Sequence, residues 1–299
     1  MIYISLTTVP DRLNFEQSSR INLESLLNQK TDKEYKVLYN VPFKYTGKLS
    51  DEKGRLPQNT DGGEIVEIPE WINKLAQENN KLIINRLKDY GPPTKIVGAL
   101  LYTNNPDDVL ICCDDDQEYH EEMLEYHLSK LSQYPNCAIA FRGDRLYEKR
   151  EWIENDVKKY TFTQISDNFP VTHDVNLAIT GHWHSVGYKR SFFKDDFLDE
   201  DFIFKNHWSD DIIMAYYVIK HKLEIKCVAW DKETDFRLVN TNGRPSNSFP
   251  VVKNLPFHNA GCHVLRNITG THVNDQATYP QDWVNQILDY YSGKIHIDG

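Results

Sequence analysis

The chain has 299 residues, 40% hydrophobic and 26% charged, the make-up of a folded globular protein. A formal net charge of −10 excludes a general binder of nucleic acid or anionic membrane, which needs a basic footprint; a small nucleotide held by one cation and a metal is still compatible. No apolar run approaches the ~18 residues of a transmembrane helix. No signal-peptide pattern opens the chain, and its five cysteines form no C-x-x-C pair, so a reducing, cytoplasmic setting is expected.

Residues 2–6 read as a buried strand, broken by Thr7-Thr8-Val9-Pro10-Asp11-Arg12. A helix is expected over 15–29 and a second strand over 35–41, a β-α-β opening that implies parallel pairing. Residues 43–63 read as a surface excursion, 64–68 as a weak edge strand and 82–86 as a further strand. Gly91-Pro92-Pro93 stops the chain, and Thr94 is placed to cap a helix running to about residue 104.

Val109-Leu110-Ile111-Cys112-Cys113 is a continuous apolar run, short and bounded by charge, which reads as a strand buried on both faces. Asp114, Asp115 and Asp116 follow with no spacer. Adjacent like charges repel, so folding alone does not call for them. A divalent cation does, because Mg²⁺ and Mn²⁺ take oxygen ligands and are usually held by one or two carboxylates plus substrate phosphates. Ligands of open α/β sheets also sit beyond the carboxyl ends of strands. The competing reading is a solvated turn that caps the next helix.

A helix over 120–132 and a strand over 137–141 complete a first part of repeated β-α units, to about residue 142. Residues 143–180 show no clear period. Ser209 is placed to cap a helix over 210–220 that is apolar all round and therefore buried. A strand over 224–230, a loop-rich stretch over 231–279 and a closing helix over 281–292 follow. His182 and His184 would share one face if 182–184 were extended, but no Cys or acid lies close in sequence to make a zinc site with them.

These pieces, in this order, resemble the GT-A-fold glycosyltransferases, and most of all the small metal-dependent enzymes of bacteria and large DNA viruses of algae. The matching segments are Ile4-Ser5-Leu6-Thr7-Thr8-Val9-Pro10-Asp11-Arg12, Asp89-Tyr90-Gly91-Pro92-Pro93-Thr94-Lys95, the strand ending in Asp114-Asp115-Asp116, Gly187-Tyr188-Lys189-Arg190-Ser191-Phe192-Phe193, and Trp208-Ser209-Asp210-Asp211. The resemblance implies a Rossmann-like, mostly parallel central sheet flanked by helices. It implies one GT-A-like domain over 1–299, with a nucleotide-sugar-binding half (1–142) and an irregular acceptor-binding and catalytic half (143–299).

The implied reaction moves a sugar from a nucleotide diphosphate donor, by default a UDP-sugar, to a hydroxyl of a glycan, glycoprotein or other acceptor, with inversion. Asp114 and Asp116 would hold Mn²⁺ or Mg²⁺, with His258 or His263 as a late further ligand. Alternation along the chain would put Asp114 and Asp116 on one side and leave Asp115 to touch the donor. Thr7, Thr8, Val9 and Arg12 would line the base and ribose, and Lys95 would reach a phosphate. Asp210 or Asp211 would be the general base, with Asp210 preferred. The resemblance also allows a virus-encoded protein acting in a host cytoplasm.

Two other functions fit the same sequence. A sugar-1-phosphate nucleotidyltransferase uses a related sheet and a metal, but the place after its first strand is glycine- and arginine-rich, whereas Thr7–Arg12 has no glycine. A non-catalytic nucleotide- or carbohydrate-binding protein of the same fold is the other.

Overall fold

The computed structural model describes residues 1–45, 49–50, 54–55, 63–148, 160–165, 174–177, 179–205, 209–229, 251–254 and 281–292. In chain order the elements that position the site begin with β1 (Ile2–Thr7), a helical turn at Pro10–Leu13, α1 (Glu16–Leu27) and β2 (Tyr35–Pro42). There follow α2 (Glu70–Glu78), β3 (Leu82–Leu87), α3 (Thr94–Tyr102), β4 (Val109–Cys113), β5 (Gln117–Tyr119) and α4 (Met123–Gln133). The second half adds β6 (Cys137–Ala140), β7 (Gly143–Glu148), β8 (Tyr160–Ile165), β9 (Val175–Leu177), β10 (Ile179–Thr180) and β11 (Val186–Lys189). Then come α5 (Glu200–Lys205), α6 (Asp210–Lys220), β12 (Glu224–Cys227), β13 (Val251–Asn254) and α7 (Gln281–Ser292).

Eight strands form the central sheet in the order β9-β12-β6-β11-β4-β1-β2-β3. β1 pairs in parallel with β2 and with β4, β2 with β3, and β6 with β12. β11 is antiparallel to both β4 and β6, and β9 to β12. The class is α/β as expected, and six of the eight strands run in one direction, with β11 and the edge strand β9 reversed. The reason is local: β11 follows a tight 3₁₀ turn at His182–His184 and enters the sheet from the opposite end, with no crossover helix to reverse it.

Alternate residues of the central strands feed two cores. Ile111 and Cys113 of β4 pack with α1, α2 and α4, while Leu110 and Cys112 pack with α3, α6 and α7. An apolar strand with no polar face is what such two-sided burial requires. The four described cysteines, Cys112, Cys113, Cys137 and Cys227, are free and buried. No described helix is long and apolar enough to cross a membrane.

Several expected elements differ. Thr94 is the first residue of α3 rather than its cap, and its hydroxyl accepts the Tyr90 N–H at 2.9 Å, closing the turn before the helix. Helix α2 is found where the sequence offered no expectation; its apolar residues sit on one stripe, with only Ile72 fully buried. The 64–68 strand shrinks to Glu64–Ile65, paired with Lys44–Tyr45. Residues 143–180, read as irregular, contain the antiparallel ribbon β7–β8, and β10 pairs with β7. Most of 231–279, including His258 and His263, lies outside the described residues, as does Trp208.

Candidate active site

The chain runs from β1 outward to β2 and β3, then returns to place β4 on the other side of β1. That reversal makes a crevice at the carboxyl ends of β1 and β4, the usual ligand position of an open α/β sheet. β1 delivers Thr7, Thr8, Val9 and Arg12 to it; β4 delivers the three aspartates.

The acidic loop is pinned from below. Asn22, buried on α1, donates its carboxamide to the carbonyls of Gln117 (2.7 Å) and Asp114 (3.2 Å). The Tyr119 hydroxyl accepts the Asp114 N–H at 2.9 Å and sits 3.1 Å from the Asp114 carbonyl oxygen. Because β4 stops at Cys113 and the chain bends, the alternation expected for the triplet does not continue. Asp115 and Asp116 both face Arg12, one on each guanidinium nitrogen, while Asp114 faces Lys95. Asp115 Oδ2 is buried with no hydrogen-bond partner among the described residues.

Lys95 stands in the first turn of α3 with its side chain 3% exposed. Its ammonium contacts Asp114 and lies 2.8 Å from Asp210 Oδ2, so it joins β4 to the start of α6. Burial pushes the ammonium pKa down, but Asp114 and Asp210 outweigh it and hold the group well above the usual lysine range. α3 is itself held to the sheet by a buried polar cluster. The Ser5 hydroxyl donates to the Lys95 carbonyl at 2.5 Å, and the Asn40 carboxamide donates to Ser5 Oγ at 2.8 Å and the Leu6 carbonyl at 2.9 Å.

Asp210 and Asp211 open α6, whose Ser209 cap accepts the Ile212 N–H at 3.3 Å. Both carboxylates reach His182: Nδ1 lies 2.6 Å from Asp211 Oδ1 and 3.2 Å from Asp210 Oδ2. Burial raises the Asp210 carboxyl pKa, but Lys95 and then His182 outweigh it and hold it below the usual range. Asp114 differs: burial, with Asp116 and Asp210 adding to it, outweighs Lys95 and lifts it to about 6. Arg12 is held firmly protonated, because Asp115 and Asp116 more than offset the cost of its burial.

The structure therefore brings Arg12, Lys95, Asp114, Asp115, Asp116, Asp210 and Asp211 into one connected cluster. Thr7 and Thr8 lie beside it on β1 and just beyond: Thr7 donates its hydroxyl to the Asn40 carbonyl at 2.9 Å, and Thr8 is buried. Val9 precedes the helical turn that carries Arg12. His182 and Tyr188 join the cluster although their local sequence gave no sign of it. The acidic partners of His182 come from Asp210 and Asp211, far along the chain, and residues 182–184 form a 3₁₀ turn, so the condition of an extended segment is not met.

Two places offer oxygen ligands to a cation. His182, Asp210 and Asp211 present ligand atoms within 4.8 Å of one another, and Lys95 lies against Asp210 there as it lies against Asp114 of the triplet. At the triplet, the carboxylates of Asp114, Asp115, Asp116, Asp210 and Asp211 outnumber Arg12, Lys95 and even a charged His182. That surplus of negative charge among the described residues, with the buried, orphaned Asp115 Oδ2, fits a divalent cation.

The sequence matches no family model and no curated protein. Among solved structures, S. aureus TarS 1-349 is similar at a TM-score of 0.44 and 14% identity, covering 77% of this chain and 58% of that one. The same protein in complex with UDP gives 0.39 and 13%, over 69% and 54% of the two chains. This chain thus spans less than two thirds of the TarS structure. Likenesses of this size do not bear on function.

Proposed function

We propose that the chain is a divalent-metal-dependent glycosyltransferase of the GT-A type, acting as one domain. It would move a sugar from a nucleotide diphosphate donor, by default a UDP-sugar, to an acceptor hydroxyl. The observation that carries this reading is the cluster at the switch point of the sheet. Among the described residues carboxylates outnumber cations there, and they lie at the end of the strand beside the one that delivers Thr7–Arg12.

In this reading Thr7, Thr8, Val9 and Arg12 line the nucleoside, and Asp115 faces the donor. Asp114 and Asp116 hold Mn²⁺ or Mg²⁺, with His258 or His263 as the proposed further ligand. The cation, when bound, neutralises charge developing on the diphosphate leaving group. Arg12 pairs with Asp115 and Asp116 and orients them. Lys95 does the same for Asp114 and Asp210. Its burial between two carboxylates suits that holding role better than a direct phosphate contact. An Asp from the start of α6 takes the acceptor's proton, in a single displacement that inverts the anomeric carbon.

The test is nucleotide release from a panel of UDP-, GDP- and CMP-sugars, with Mn²⁺ and with chelator, alongside pyrophosphate release from nucleoside triphosphates. The reading expects release from a nucleotide-sugar that stops on chelation. Pyrophosphate release would favour the nucleotidyltransferase instead. Donor binding without turnover across an acceptor panel would favour a binding protein.

A further inference from the structure

At the end of the sheet away from the acidic loop, three connections meet around a cavity of about 430 Å³. They are the turn between α4 and β6, the segment after β11, and the turn between α6 and β12. Lys189 of β11 is level with Val109, the first residue of β4, whereas the aspartates follow the last. His221 caps the far end of α6, whose first residue is Asp210. The length of β4 at ~3.3 Å per residue, or of α6 at ~1.5 Å, puts the cavity roughly 15 Å from the candidate active site. Cavities of this volume hold small-molecule ligands.

Its wall carries charge of one sign. Lys189, Lys194 and His221 line it, and among the described residues none that lines it is acidic, in a chain of net charge −10. Neither lysine has a carboxylate partner among the described residues, whereas Lys88, Lys130, Lys205 and Lys220 each do. The negative end of α6 does not account for them, because its last carbonyls are already closed. Val218, Tyr217 and Ile219 accept the N–H groups of Leu223 (2.9 Å), His221 (3.1 Å) and Lys222 (3.2 Å). Asp196, which His221 Nε2 meets at 3.0 Å, is held by Lys220 at 2.7 Å. Two unpaired ammonium groups facing one space repel each other and call for an anion between them.

The donors select the anion. Lysine is a point charge that suits phosphate, whereas carboxylate recognition favours the planar fork of arginine. Arg190, next to Lys189, turns its guanidinium to the carbonyls of Thr103 (2.9 Å) and Phe193 (3.0 Å) instead. Ser191 adds a hydroxyl to the wall, and Phe192 and Leu223 give it an apolar side. We propose that this cavity binds a small phosphomonoester, its dianion between Lys189 and Lys194 and its carbon body against Phe192 and Leu223. The site is separate from the acidic cluster and stands whether or not the chain transfers a glycosyl group.

Calorimetric titration into the full chain tests it, with chelator present so that no metal site takes the phosphate. Glucose 6-phosphate, inorganic phosphate and glucose are the probes. Glucose 6-phosphate should bind with a Kd below about 1 mM, inorganic phosphate at least about threefold more weakly, and glucose not at all. Lys189→Met combined with Lys194→Met should weaken the ester at least about tenfold, and Lys194→Met alone about threefold. Lys189 is half-buried and Lys194 exposed, so both variants should unfold within about 2 °C of wild type. A Kd for the ester above about 1 mM in the wild type overturns the proposal. So does an affinity that neither variant changes. Inorganic phosphate or glucose bound as tightly as the ester overturns it too, since one would leave the apolar wall without a part and the other the lysines.

Discussion

Replacing Lys95 by Met tests the electrostatic frame of the site. Met keeps the length and apolar stem of the side chain and removes only the charge. The ammonium is 3% exposed and touches two carboxylates that belong to different elements, Asp114 beyond β4 and Asp210 in α6. Removing one partner of a buried ion pair costs about 3–5 kcal/mol, because the remaining charge is left in a poorly solvating environment. Two carboxylates are stranded here, but Asp114 keeps some contact with solvent, its side chain being 28% exposed, so the same range is the expectation. At about 2 °C per kcal/mol for a chain of this size, the midpoint of thermal unfolding should fall by roughly 6–10 °C in metal-free buffer. Adding Asp210→Asn to Lys95→Met should recover part of the loss, since that change removes one stranded charge. A Lys95→Met protein that unfolds within about 1 kcal/mol of wild type would refute this reasoning, as would a double variant less stable than the single one.

Gly98→Ala on α3 should destabilise although Ala is the better helix former. An added Cβ would sit 2.0 Å from Asn40 Oδ1 and 2.5 Å from its Cγ, and Asn40 is bonded to Ser5 and Leu6 and cannot turn aside freely. A loss of about 1–3 kcal/mol by urea denaturation is expected, and a gain would contradict it. His127 is wholly buried, stacks on Phe141 at 4.1 Å and bonds Ser185 at 2.8 Å. Burial pushes its pKa from 6.5 to about 3. The folded protein therefore keeps it neutral while the unfolded chain takes a proton, so stability present above pH 6.5 is lost as pH falls toward 3. By pH 5 this single group costs about 2 kcal/mol. Wild type should lose that much more than His127→Gln between pH 7.5 and pH 5, and parallel losses would refute the assignment. Ser209→Ala removes the α6 cap and should cost about 1 kcal/mol, read from the same denaturation curves.

The parts of the fold that were legible in the sequence are those with a strong local period or a hard boundary. β4 is found at Val109–Cys113 because an unbroken apolar run ending in three acids allows no other register. Helix α6 starts where Ser209 predicts, since the cap and the apolar residues after it agree. Helix α2 was not legible because only Ile72 of its stripe is deeply buried and Trp71 and Leu75 are partly exposed. The orientation of β11 was illegible for another reason. Val186–Lys189 is apolar enough to be a strand, but its direction depends on the 3₁₀ turn before it and on Ser185, whose φ of 88° is held in place with His127 on its hydroxyl.

The site shows the same division. Contiguous acids announce themselves, and the order of segments in the resemblance pointed to Lys95, Asp210 and Asp211 as candidates. What no window of sequence contains is the pairing: Lys95 with Asp114 and Asp210, Arg12 with Asp115 and Asp116, His182 with Asp211. Asn22 and Tyr119, which pin the acidic loop, gave no signal, because a buried Asn on a helix and a Tyr on a short strand read as ordinary core.

The central claim is that the acidic end of β4 binds a nucleotide through a divalent cation. Calorimetric titration of UDP into the wild type, with Mn²⁺ and with chelator, tests it most directly when repeated on Asp114→Asn and Asp116→Asn. One UDP per chain is expected with Mn²⁺ and none with chelator, with binding weakened at least about tenfold in both variants. UDP binding that is unchanged by chelator and by both substitutions would contradict it.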